Sequence, residues 1–162
     1  MKKFILFSLG FLIINSFSIK AHEKEKVNLS AGFGWTELFN AGIRIQSNQT
    51  QFALSVGSLS SEAISVSGDV FFHFAGVSDF SERRPWYFRT GITHIHFKKT
   101  GVFGKILHFV NQDTNIISLN TRIGRDFNIS KKVGINTDFG FALDLDFFTI
   151  EPIFSFSIFY RL

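Results

Sequence analysis

From Val27 onward the chain alternates an apolar side chain with a small or polar one. A side-chain period of two marks strands that are apolar on one face only. Val27, Leu29, Ala31, Phe33 and Trp35 interleave with Asn28, Ser30, Gly32, Gly34 and Thr36. The same rhythm returns over residues 43–46, 52–57, 64–74, 86–93, 117–124, 133–142 and 154–162. That predicts eight strands, most of them near the roughly 9–11 residues of a tilted membrane strand. Together they take about 80 residues, and the rest fits seven connections and a lead-in. Pro85 and Pro152 fall at predicted strand starts, where a missing N–H costs least. No stretch of useful length has helical periodicity.

Composition sharpens the picture. Of 162 residues, 45% are apolar and 19% charged, which argues against disorder. No cysteine is present, so disulfides are excluded. The chain carries 23 Phe, 2 Trp and 2 Tyr, more aromatic bulk than one water-soluble core of this size readily hides. No apolar run reaches the 18 or so residues of a membrane helix. Residues 1–21 read as a secretory signal: Lys2 and Lys3, an apolar run from Phe4 to Ile14, then small residues Ser16, Ser18 and Ala21. Cleavage is expected between Ser18 and Ala21, leaving residues 22–162 as one domain. Without the leader, 14 Lys and Arg stand against 13 Asp and Glu, so the basic charge that might suggest nucleic-acid binding belongs partly to the signal.

Eight strands can close as a soluble barrel, apolar inside, or as a membrane barrel, apolar outside. The polar face decides between them. A water-facing surface should be rich in Lys and Glu, but this face is mainly Gly, Ser, Asn, Thr and Ala, the sizes that fit a crowded eight-stranded interior. Arg44, Asp69, Arg89, Arg122, Asp138 and Arg161 all fall on it. Turned to lipid, each mid-membrane Arg would cost about 2–4 kcal/mol. They are therefore expected inside, paired Arg with Asp as a barrel-interior polar network. With both ends of the chain in the periplasm, outer loops are expected near 37–40, 59–63, 97–113 and 143–150. Inner turns are expected near 48–50, 75–84 and 128–132. Trp35 and Phe141 then mark the outer interface, and Trp86, Phe127 and Tyr160 the inner one.

The terminal stretch 154–162 (FSFSIFYRL) resembles the closing strand of outer-membrane barrels, with Phe154, Phe156, Ile158 and Tyr160 alternating up to Leu162. Leu162 stands where that signature has a terminal aromatic. The whole of 27–162 looks like the small OmpA/OmpX-type eight-stranded barrels of Gram-negative outer membranes. The resemblance implies an all-β, antiparallel, up-and-down transmembrane barrel. It also implies that the outer-membrane barrel assembly machinery reads the last strand. Such barrels include adhesins, defence factors, structural anchors and a few lipid A-modifying enzymes, so it does not choose a function.

Candidate chemistry is sparse. His94 and His96 lie two apart on one face near the outer end of the fifth strand. Lipid A deacylases, which are similar barrels, place a His and a Ser two apart in such a position; here His stands where Ser is needed. Ser58, Ser60, Ser61 and Glu62 could approach only through folding. His94, His96 and His108 specify no full ligand set, so neither metal nor cofactor is expected, and His73 with Asp69 reads as barrel filling. Lys98, Lys99 and Lys105 could meet lipopolysaccharide phosphates. The apolar residues Val102, Phe103, Ile106, Leu107, Phe109 and Val110 of the same loop could cap the barrel, dip into the outer leaflet or bind a partner. Gly32-x-Gly34 precedes a strand-like run, not a helix, so it is no nucleotide site. The expectation is a non-enzymatic outer-membrane barrel with a side-chain-filled interior and a structural or surface-interaction role. The alternatives are a lipid A-modifying enzyme and a soluble lipocalin-like binding barrel.

Overall fold

A computed structural model describes residues 26–59, 61–98 and 114–162. Eight strands follow one another: β1 (Lys26–Gly34), β2 (Leu38–Ser47), β3 (Thr50–Ser58), β4 (Ala63–Ala75), β5 (Trp86–Phe97), β6 (Thr114–Asn128), β7 (Val133–Asp144) and β8 (Ile150–Arg161). Each pairs antiparallel with the next, and β1 pairs with β8 to close the barrel. The closing seam sets Asn28–Gly34 of β1 against Ser155–Arg161 of β8. Closure leaves no free sheet edge, which a backbone in lipid requires.

Most strands are longer than their periodicity indicates, and three extensions matter for the interior and the rim. β2 begins at Leu38 rather than residue 43, because Phe39 and Ala41 continue its outward row but Ala41-Gly42 gives little contrast between faces. β5 runs on to Phe97, since its outward row turns polar at His94 and His96 without leaving the ladder. β6 extends to Asn128, adding Asp126 inside and Phe127 outside. Pro85 directly precedes β5, whereas Pro152 lies within β8 opposite Phe141, above the level at which β1 joins β8.

The sidedness is that of a membrane barrel. Leu54, Val56, Ile43, Phe139, Phe156 and Ile158 point outward and are exposed, Leu54 by 71%. Their neighbours Ala53, Arg44, Asp138, Ser155 and Ser157 point inward and are buried. From Tyr160 to Ile150 the outward row of β8 climbs about 25 Å, allowing for strand tilt, which matches the apolar band of an outer-membrane barrel. At its lower margin Arg125 stacks on both Trp86 and Phe127, and Lys132 lies over Tyr160. Cations on aromatic rings at one level are what an interface zone accommodates. Trp35 and Phe141 stand exposed toward the opposite margin.

Candidate functional site

The interior is filled in tiers. Uppermost is an apolar cap of Leu38, Ala63 and Ile95, with Leu59 and Phe97 packed against it. Below lies an ionic cluster. Arg122 forks onto Glu37, with Nη2 2.6 Å from Oε1 and Nη1 3.0 Å from Oε2, and donates to Asp138 at 3.3 Å. Arg89 reaches Glu37 at 2.5 Å, Asp69 at 2.7 Å and Asp138 at 3.1 Å. Ser155 and Tyr87 donate to Asp138 at 2.6 and 3.2 Å, and Thr36 accepts from Arg122. Phe71 lies beneath, with the guanidiniums of Arg89 and Arg44 each 4.9 Å from its ring centroid.

The lower half repeats this design. Phe159 has the guanidiniums of Arg83 and Arg161 at 5.3 and 4.9 Å from its ring centroid. Arg83 pairs with Asp126 and donates to Gln46, and Arg161 bonds Asn128 and the carbonyls of Ser130 and Lys131. Arg83 comes from the long inner turn, which folds back under the barrel. Gln49 ties that turn at Glu82 and Arg84, and Asn128 ties it at Ser78. A small polar pocket remains beside Arg44, Asp69 and Ser55.

Of the six charges expected inside, Asp69, Arg89, Arg122 and Asp138 meet in the upper cluster. Arg44 donates to Ser157, and Arg161 sits at the inner end against the Ser130 and Lys131 carbonyls. His73 and Asp69 are both buried but do not pair; His73 contacts the Arg84 carbonyl and Gln51.

The sequence reading missed Glu37, Arg83 and Asp126. Glu37 was expected in an outer loop spanning 37–40. That connection is instead a tight turn at 35–37, with Leu38 already in β2 at a left-handed φ of 60°. The turn throws Glu37 back over the rim into the lumen. Gly34 and Gly57 make room, since a β-carbon at Gly34 would overlap the Glu37 carboxylate and one at Gly57 its backbone carbonyl. Burial alone would raise the Glu37 carboxyl, but Arg89 and Arg122 outweigh it and hold the group below its ordinary 4.5. The small residues before Glu37 were the available signal. Asp126 follows Arg122 and Gly124 at inward parity, but Arg83 lies on a turn, where periodicity is silent.

On the outside, Phe154, Phe156, Ile158, Tyr160 and Leu162 form one exposed row. Lys98 is exposed at the top of β5, while Lys99, Lys105, His108 and the apolar loop residues between 102 and 110 lie outside the described residues. Ser58, Ile64 and His96 occupy one outward row across β3, β4 and β5. A whole strand therefore separates Ser58 from His96, roughly 10 Å between backbones.

Among solved structures, the N-terminal β-barrel domain of Pseudomonas aeruginosa OprF superposes with a TM-score of 0.54 at 11% identity, over 85% of this chain and 96% of that one. The fold is that of the small eight-stranded outer-membrane barrels. Neisserial surface protein A matches over 85% of this chain and 94% of its own at 12% identity, with a TM-score of 0.42. The designed barrel TMB2.3 matches over 85% and 93% at 12% identity, with a TM-score of 0.45. No family model matches the sequence, and no curated protein does.

Proposed function

We propose that this chain is a non-enzymatic integral protein of the outer membrane that acts through what its outer rim and loops present. The observation that carries the reading is the inverted sidedness: a 71%-exposed Leu54 on the outer wall and a 1%-exposed Arg122 at the centre of a closed barrel. Lipid is the solvent in which both are stable. The tiers of buried side chains among the described residues support a barrel that holds its shape rather than conducting solutes. Residues 1–21 are the export signal, removed on the way. The row from Phe154 to Leu162 is the strand that the assembly machinery engages. Lys98, Lys99 and Lys105 supply cations near lipopolysaccharide phosphates.

Fractionation with heat-dependent gel mobility tests this. The protein should sediment with outer membranes, require detergent and migrate faster unheated than boiled. Release without detergent would instead favour the soluble lipocalin-like alternative. Mass spectrometry of lipid A with and without the protein should give identical profiles; a shifted profile would establish the lipid A-modifying alternative.

A further inference from the structure

The outer rim is not uniform. Trp35, Phe39, Phe147, Phe148 and Ile150 make its β7–β8–β1–β2 side aromatic and apolar. On β5 the outward row is instead His94, His96 and Lys98, with exposed His94 and Lys98 flanking a half-buried His96. Alternate residues on a strand stand about 6.6 Å apart, so these nitrogens form a ladder from the apolar band to the rim. Its lower rung is set among hydrocarbon-facing neighbours. In register with His94 are Val66 of β4 and Ile117 of β6, and Ile92 lies just below, all exposed. Among the described residues the His94 ring has no hydrogen-bond partner, and a polar group left so among acyl chains is unfavourable. A headgroup drawn down to His94 removes that cost.

We propose that His94, His96 and Lys98 bind the phosphate of an anionic outer-leaflet glycolipid, with Val66, Ile92 and Ile117 bearing its acyl chains. This rests on the membrane reading above. His96 Nδ1 lies 3.0 Å from Asn115 Oδ1, which fixes that ring. A ring nitrogen that carries hydrogen can donate to a phosphate oxygen, and Lys98 adds a point charge. The acids on neighbouring elements are Glu62, whose carbonyl accepts from the Lys98 N–H, and Asp146, whose Oδ2 accepts from the Ile117 N–H.

The test is native mass spectrometry of the full mature barrel in detergent with a bisphosphorylated acylated disaccharide lipid. Wild type should retain it. The H94Q/H96Q/K98Q variant should retain about ten-fold less, and wild type should hold the dephosphorylated lipid about ten-fold less tightly. Inorganic phosphate should not displace the lipid. Equal retention by the variant, equal retention of the dephosphorylated lipid, or displacement by inorganic phosphate would each overturn the site. The dephosphorylated arm uses unaltered protein, so it decides even if the variant folds poorly. Failure here would leave the protein in the membrane fraction, whereas failure of the membrane reading would appear in fractionation.

Discussion

Replacing Arg122 by Met removes one of the two cations that hold three carboxylates together. Arg122 is 1% exposed and pairs with both Glu37 and Asp138. At an effective dielectric near 20, each such pair is worth about 4 kcal/mol of Coulomb attraction. Part of the combined sum is offset because one guanidinium no longer has to be stripped of water. The net loss for breaking a buried pair is about 3–5 kcal/mol. Arg89 would then face Glu37, Asp69 and Asp138 alone. With a urea slope of roughly 1–3 kcal/mol per molar, the unfolding midpoint should fall by about 2 M in lipid vesicles. E37Q should cost only about 1–3 kcal/mol, because two Arg then face two Asp and the amide can still accept. The R122M/E37Q double variant should be less damaged than the two losses added, with a coupling of about 0.5–3 kcal/mol. An R122M midpoint equal to wild type, or strict additivity in the double variant, would refute the cooperative cluster.

Other consequences follow from the same geometry. Glu37 is held below its ordinary carboxyl value, so the folded state binds its proton less readily than the unfolded one. Its contribution is complete above about pH 4.5 and is lost as pH falls through the lower folded value, so urea midpoints should drop on acidification and drop less in E37Q. G34V should displace Glu37 from the lumen and cost about 1–3 kcal/mol, read as a lowered midpoint, since its β-carbon would occupy the carboxylate's place. L54R, on the outer wall at mid-strand, should cost about 2–4 kcal/mol in vesicles; a neutral result would place Leu54 away from lipid. Proteoliposomes of the wild type should show no swelling with sugars, and measurable flux would contradict the tiered interior.

The strands and their faces were legible because hydrocarbon outside and close packing inside impose a period of two at every position. That period put Asp138 and Arg122 on the same inner face. It failed where the chain leaves the ladder. Glu37 and Arg83 reach the lumen from turns, and only the bend at Leu38 and the fold-back of the inner turn bring them in. The rim ladder was visible as a pair of histidines in THIH. Its setting was not, because Val66 and Ile117 lie far from it in sequence and become its neighbours through β4 and β6.

Site-directed spin labelling along β3 tests the orientation of the wall most directly. The chain has no cysteine, so single Cys substitutions at Ala53, Leu54, Ser55 and Val56 report one site each. In bilayers, labels at Leu54 and Val56 should be strongly relaxed by lipid-soluble oxygen and little by a water-soluble nickel reagent, while labels at Ala53 and Ser55 should be sheltered from oxygen. The opposite phase, with Ala53 and Ser55 meeting the acyl chains, would contradict the account.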